Sequence, residues 1–268
     1  MKQLSTYISE KLVLNKNTFK KHELKYFPKD WDELKDIIKQ LAKEHEDEPV
    51  LDLNEIDVSK ITDMGNLFEG MHIKKIDISG WDVSNVTNME GMFSYCSRLE
   101  SVNMSSWNIH KVESLKNMFY QCFELKDVGN LGGWDTSSVY DMSYMFNECT
   151  KLEHVGDLSD WDTSSVEEIK NMFFYCVSLK SIGDISGWKV SRISNMESMF
   201  CGCKKLTLIG DLSLWKTYYL ENLDYMFCNC ENLKDIGDIS SWDVSDNTYM
   251  EEMFLKSGIK NIPSWYRD

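Results

Sequence analysis

Residues 83–107 read VSNVTNMEGMFSYCSRLESVNMSSW, and this phrase decides the fold because the chain repeats it. Each copy contains a Met-Phe pair, a cysteine and a closing tryptophan. The tryptophans recur every 26 or 27 residues, at Trp81, Trp107, Trp134, Trp161, Trp188, Trp215 and Trp242, and the Met-Phe pairs keep the same interval. A fixed period of about 20 to 50 residues is typical of repeat proteins whose units stack on one another. Residues 51–268 are therefore predicted to form a solenoid of about eight units of 25–27 residues, with a C-terminal capping unit that Pro263 ends.

Each unit has two unlike halves. In SSVEEIKNMFFYC, residues 164–176, apolar residues lie three or four apart, which predicts a short helix with Ser164 or Ser165 as its N-cap. The phrase IKKIDIS, residues 73–79, predicts a short strand of the leucine-rich-repeat type. Five units carry an inserted glycine in the strand phrase, which predicts a shared kink with positive φ; these are Gly129, Gly156, Gly183, Gly210 and Gly237. The predicted fold class is an α/β repeat solenoid, a right-handed leucine-rich-repeat-like coil of short parallel strands and short helices with a helical N-terminal cap.

Residues 1–50 do not follow the repeat. Apolar residues at helical spacing predict one helix over residues 4–12 and another over residues 31–41, the second with Asp30 as its cap. A solenoid exposes an apolar end that needs a cover. The segment is therefore interpreted as a helical N-terminal cap, with docking of another protein as the alternative.

The combined pattern W-D-[VT]-S-x-V-x-x-M-x-x-M-F-x-x-C-x-x-L resembles the BspA-like leucine-rich repeat of mycoplasma lipoproteins and of surface proteins from oral and gut bacteria. The resemblance covers residues 51–265 and implies a right-handed solenoid that binds other macromolecules, often in adhesion. The opening LSTYISEKLVLNKNT, residues 4–18, also resembles the openings of proteins encoded by phages of gut Bacteroidetes. The opening shows no signal peptide, so a cytoplasmic or phage-associated location is expected rather than secretion.

The net charge and the absence of catalytic motifs limit the classes of function that the chain can have. The formal charge of −15 disfavours binding to nucleic acid, and no apolar run is long enough for membrane insertion. No catalytic motif is present and the five histidines share no phase, so the chain is predicted to be non-catalytic and to need no cofactor. Six cysteines recur in phase, which predicts buried thiols rather than disulfides or a zinc site. A hydrolase with carboxylates on the concave face is the alternative.

The predicted strand face is the candidate binding surface, because successive units form a continuous surface there. Its short polar residues either accept hydrogen bonds from backbone amides or form an acidic stripe for a basic partner or calcium. Neighbouring positions vary from unit to unit, which is how such a surface gains specificity. We expect a protein-protein or host-surface interaction module, with a phage-encoded structural or accessory protein as the alternative. The candidate residues are Asp77, Asn103, Asn130, Glu153, His154, Asp157, Lys180, Asp184, Asp211, Lys234 and Asp238.

Overall fold

The computed structural model describes residues 23–267. Helix α1 spans Trp31–Glu44, and three short strands follow as β1 (Leu51–Asp52), β2 (Lys75–Asp77) and β3 (Ser101–Val102). Three short 3-10 helices lie at Leu131–Gly133, Leu212–Leu214 and Ile239–Ser241. No helix in this part of the chain is long and apolar enough to cross a membrane.

Helix α1 confirms the second N-terminal helix, and Asp30 is its N-cap. The Asp30 carboxylate accepts a 3.0 Å hydrogen bond from the amide of Glu33, one of the amides that a helix start leaves unpaired. The helix expected at residues 4–12 and the phage-like opening at residues 4–18 lie outside the described residues.

Helix α1 packs against the first coil of the solenoid. Its apolar face, Leu34, Ile38 and Leu41, is buried in the same core as the repeats. The Trp31 indole Nε1 donates to the carbonyl oxygen of Gly65 at 2.9 Å, which ties the helix start to the first Met-Phe-like segment. These contacts cover apolar residues that an end coil would otherwise expose. The division at residue 50 stays a prediction.

Two parallel ladders run along the solenoid. In the first, β1 pairs with β2 and β2 with β3, and single bridges continue the ladder through Ser101, Asp127, His154, Ser181 and Leu208. The second ladder consists of single bridges that join Asp63, Asn88, Ser114, Asp141, Glu168, Asn195, Asn222 and Tyr249. One residue per coil takes part in each bridge, so the predicted in-phase stacking is confirmed.

The Met-Phe half of each unit is a ribbon of turns, and the prediction of a helix there is wrong. Alternate amides point in different directions: Gly91, Phe93 and Tyr95 donate to carbonyls of the next coil at 2.7–2.8 Å. The amides between them close turns within the coil, as in Ser94 to the Gly91 carbonyl at 2.8 Å. Residues two before and two after each phenylalanine have positive φ, which no α-helix allows. We call this segment the turn ribbon; it comprises residues 66–70 in the first coil and the five equivalent residues of each later coil.

The helix prediction was wrong because a series of consecutive turns buries residues three or four apart, as a helix does. In the coil of residues 83–107, Val86, Met89, Met92, Phe93 and Cys96 are all buried. The next coil accepts the amide hydrogen bonds that a helix would satisfy internally. Stacking therefore replaces helix formation in this half of the unit, and Ser165 bonds the Ser137 carbonyl instead of capping a helix.

Ladders of identical side chains form the core. Phenylalanine rings stack along the axis with centroids 5.0–6.0 Å apart, from Phe68 to Phe254. Trp161 stacks between Trp134 and Trp188 at 6.4 and 6.2 Å, and its Nε1 donates to the Leu131 carbonyl of the preceding coil at 2.9 Å. Each repeat is thus the packing surface for the next, as the sequence predicted.

The cysteines form another buried column. All eight are free thiols, and each of the six in-phase sulfurs donates to a phenylalanine carbonyl of the preceding coil at 3.0–3.1 Å. Burial raises the pKa of Cys96 to about 12 and raises that of the deeper thiols further. The prediction that these residues fill apolar slots is confirmed.

Candidate functional site

The strand face is the exposed surface along the first ladder. It comprises the bridge residues from Lys75 to Leu208, the residue before each of them, Lys234 and Asp235 at the same positions of the next coil, and the Asp or Asn column that follows, from Asp77 to Asp238. Every candidate residue lies on it; Asp77 is half-buried, and the other ten are exposed. The structure therefore brings the sequence-predicted residues together on one surface.

The Asp and Asn column is held by backbone amides. Asp184 Oδ1 accepts from the amide of Ser186 at 3.0 Å, and Asp157 and Asp211 make the same contact to Ser159 and Ser213 at 3.1 and 2.9 Å. Asp77, Asn103, Asn130 and Asp238 repeat it at 3.0–3.1 Å. An Asp or Asn that bonds the amide two residues ahead forms an Asx turn, which bends the chain at the end of the strand. The backbone-amide interpretation is the one that this geometry fits.

The inserted glycines make room for this column. Gly183, Gly210 and Gly237 have φ of +88°, +94° and +77°, as predicted for the shared kink. A Cβ on Gly210 would lie 1.8 Å from Asp184 Oδ1 of the preceding coil, and Gly183 and Gly237 show the same contact at 1.9 and 1.7 Å. Glycine is thus required twice, once for its backbone conformation and once because a carboxylate occupies the space of its side chain.

Charges on the strand face pair with one another between coils. Glu153 forms an ion pair with Lys180, and Glu100 pairs with Lys126 at 3.2 Å. Lys234 Nζ instead donates to the Glu231 carbonyl at 2.6 Å. The hydrogen bond and charge of Lys180 lower the pKa of Glu153. Such exposed pairs stabilise little, so their main effect is to neutralise the face locally.

Two carboxylates of this face, Asp184 and Asp238, are poorly suited to acid catalysis. The backbone and side chain of Ser186 lower the pKa of Asp184 through hydrogen bonds, and Ser240 does the same for Asp238. A glycosidase acid needs a raised pKa, which comes from burial or a like-charged neighbour. Within residues 23–267, no group of three or more His, Cys, Asp or Glu side chains is arranged to hold a metal ion.

A second concave surface, which the sequence analysis missed, lies on the turn ribbon. Tyr95, Tyr120 and Tyr144 line a cavity of about 360 Å³ that shares no residue with the strand face. The available signal in the sequence was that Tyr95 and Tyr144 stand in columns where the preceding coils carry glycine or asparagine. It could be interpreted only once the ribbon's backbone conformation was known.

The stacked coils, the parallel ladders and the inward apolar columns define a repeat solenoid of the leucine-rich-repeat type. The chain belongs to the family described as "Mycoplasma protein of unknown function, DUF285", whose model matches residues 36–131, 127–183 and 178–266. The resemblance to BspA-like repeats is confirmed by this match. No curated protein matched the chain.

Solved structures give more distant similarity. A leucine-rich repeat protein from Eubacterium ventriosum is 19% identical over 78% of this chain and 44% of its own, with a TM-score of 0.41. A T. pallidum leucine-rich repeat protein is 15% identical over 70% of this chain and 78% of its own, with a TM-score of 0.33. The TLR13–ssRNA13 complex is 16% identical over 86% of this chain and 37% of its own, with a TM-score of 0.36. This chain spans less than half of the E. ventriosum protein.

Proposed function

We propose that this chain is a non-catalytic scaffold that binds another protein, such as one on a host surface, through its strand face. The proposal rests on one observation: successive coils expose their bridge residues at the same position of the repeat. His154, Ser181 and Leu208 lie on consecutive coils, are joined by parallel bridges and all point to solvent. A regular surface of this kind presents side chains about one strand spacing apart, which suits a contact with a macromolecule.

The composition of the face supports a protein partner. Leu208 is 57% exposed, which is high for an aliphatic side chain, and Lys180 of the preceding coil is neutralised by an ion pair with Glu153. Interfaces between proteins commonly have an apolar centre with a polar rim. Nucleic acid is a weaker candidate because a chain of charge −15 repels phosphates.

A capture experiment tests the proposal. The triple variant His154→Ala, Ser181→Ala, Leu208→Ala removes three neighbouring side chains. It keeps the backbone hydrogen bonds of the ladder and loses the 3.2 Å bond that the Gly183 amide donates to Ser181 Oγ. Its control is Tyr140→Ala, Tyr218→Ala, Tyr219→Ala, which truncates exposed tyrosines outside the strand face. Both should fold as the wild type does, as measured by circular dichroism.

Cross-linked proteins are then identified from cells of the native host that express each form. We expect a partner captured by the wild type and by the tyrosine control but lost from the strand-face variant. Capture that is equal for the wild type and the strand-face variant, or lost only from the control, would contradict the proposal. A captured RNA in place of a protein would contradict it as well.

A further inference from the structure

Three tyrosines meet beside an open cavity on the turn ribbon. The rings of Tyr95 and Tyr120 meet edge to face with centroids 5.3 Å apart, and those of Tyr120 and Tyr144 at 6.2 Å. We call these three residues the tyrosine cluster. A cavity of about 360 Å³ opens beside it and is lined also by Asn66, Glu69, Glu90 and Asn117. This volume lies within the range of small ligand pockets.

Two of these tyrosines hold an unfavourable backbone conformation. Tyr95 and Tyr144 both have φ of +59°, in the left-handed region that bulky residues avoid. The preceding coils place Gly70 in the column of Tyr95 and Asn117 in the column of Tyr144, residue types that tolerate this region well. Every coil has this conformation at the same two places in the turn ribbon, so the distinctive feature is that tyrosine occupies two of these places within three successive coils.

The core does not explain these tyrosines. Tyr95 is 49% exposed, and none of the three hydroxyls of the tyrosine cluster bonds another residue in the described part of the chain. Tyr225 gives the contrast: it shares the backbone conformation, with φ of +58°, but the Glu251 carboxylate interacts with its hydroxyl and raises the pKa of Tyr225. Tyr225 therefore interacts with another side chain through its hydroxyl, whereas the hydroxyls of the tyrosine cluster bond none in this part of the chain; Tyr95 is exposed, and Tyr120 and Tyr144 are half-buried.

The charge around the cavity indicates which ligand fits. Glu69 and Glu90 line it, and neither carboxylate forms a salt bridge or hydrogen bond within residues 23–267. No lysine, arginine or histidine lines it. Lys170 Nζ already lies over the Tyr144 ring, 5.8 Å from its centroid, so this ring accepts a cation within the chain itself. Lys35, whose Nζ donates to the carbonyl oxygens of Asn66 and Leu67, acts on Glu69 electrostatically without forming an ion pair with it. Tyrosine faces next to carboxylates that have no ion pair attract a cation, and the overall charge of −15 adds to that attraction.

We propose that the tyrosine cluster, with Glu69 and Glu90, binds a lysine or arginine side chain from a basic segment of a partner protein. The cationic head lies against the rings, and the two carboxylates neutralise its charge. The amides of Asn66 and Asn117 are placed to bond the backbone of the segment. This site shares no residue with the strand face, so the proposal for one surface can be wrong while the proposal for the other holds.

Fluorescence polarisation with a labelled peptide that alternates arginine and glycine tests the site. The matched peptide with citrulline has the same shape without the charge. In Tyr95→Asn, Tyr144→Asn, two rings are removed while the net charge is unchanged, and affinity should fall about tenfold because both cation–π contacts are lost. The control Tyr218→Asn, Tyr219→Asn makes the same exchange at exposed tyrosines elsewhere and should change affinity less than about twofold.

A second pair of variants tests the carboxylates without touching the backbone. Glu69→Gln, Glu90→Gln should weaken binding about tenfold at moderate salt, whereas Glu113→Gln, Glu221→Gln removes the same charge from exposed positions and should have a much smaller effect. Because asparagine tolerates positive φ, the tyrosine variant should keep its denaturation midpoint. Loss of binding in a folded variant is then attributable to the cavity.

Three results would overturn the proposal. The first is equal weakening by cavity and control variants, which would mean general attraction to an acidic protein. The second is equal binding of the arginine and citrulline peptides, or no binding of either the arginine peptide or its lysine counterpart at about 1 mM. The third is tighter binding of a neutral oligosaccharide such as cellohexaose, or of oligo-uridine, than of the arginine peptide.

Discussion

Replacing Gly210 with alanine should destabilise the solenoid by about 2–3 kcal/mol. Holding alanine near the observed φ of +94° costs about 1–2 kcal/mol. The new Cβ would also lie 1.8 Å from Asp184 Oδ1, so the carboxylate must move away. Asp184 then loses its 3.0 Å bond from the Ser186 amide, which we value at about 1 kcal/mol because the site is exposed.

Chemical denaturation followed by tryptophan fluorescence measures this cost, with Gly187→Ala as the control. Gly187 lies four residues after Gly183 in the same strand phrase, has no positive φ, and a Cβ there would meet no atom within 4 Å. The control should stay within about 0.5 kcal/mol of wild type.

A double-mutant cycle isolates the Asp184 contact. Asp184→Ala should cost about 1 kcal/mol in the wild type and almost nothing in the Gly210→Ala background, because the alanine has already displaced the carboxylate. Strictly additive costs, or a Gly210→Ala variant as stable as wild type, would refute the close packing of carboxylate on glycine.

The other predictions concern the core, the thiols and the acidic column. Trp161→Ala should cost about 3–5 kcal/mol and broaden the unfolding transition, because it removes two ring stacks and one indole hydrogen bond; an unchanged midpoint would contradict the core assignment. Most thiols should resist alkylation in the native protein, since burial keeps Cys96 and its equivalents protonated, and denatured, unreduced protein should titrate as eight thiols; a count near zero would indicate disulfides. The pKa values of Asp184 and Asp238 are lowered by folding, so their stabilisation is present above the unfolded pKa of about 3.9 and is lost as pH falls below it; Asp184→Asn, Asp238→Asn should flatten the fall in midpoint between about pH 4 and pH 2. Calcium at low salt should leave the melting temperature unchanged, because backbone amides already bond the carboxylates of Asp157, Asp184, Asp211 and Asp238, and a shift of several degrees that is lost on their replacement by asparagine would show a cation site instead.

The repeat period was the most informative part of the sequence. Trp161 and its equivalents predicted stacked coils, and Gly183 and its equivalents predicted a kink with positive φ, because each requirement is local and recurs in every unit. The cap at Asp30 followed from local helix chemistry in the same way. The membership of the strand face also followed from the period, since in-phase residues lie on one surface.

The turn ribbon could not be predicted in this way. A spacing of three or four residues between Val166, Ile169 and Met172 fits a helix and a series of turns equally well. The helix and the series of turns differ in which carbonyl oxygens accept the amide hydrogen bonds. In the turn ribbon, every second amide donates to a carbonyl of the next coil, about 27 residues away in sequence. The helix propensity of a segment depends on its own residues, so it carries no information about a hydrogen-bond acceptor that far away in sequence.

The sequence by itself determined the repeat period, the in-phase stacking, the buried columns and the glycine kink, because each copy carries the same local signals. Only the tertiary structure decided that the Met-Phe half is a ribbon of turns, that the Asp184 carboxylate lies where the Gly210 side chain would be, and that Tyr95, Tyr120 and Tyr144 from three successive coils line one cavity. These features depend on contacts between coils, so they exist only once the repeats have stacked.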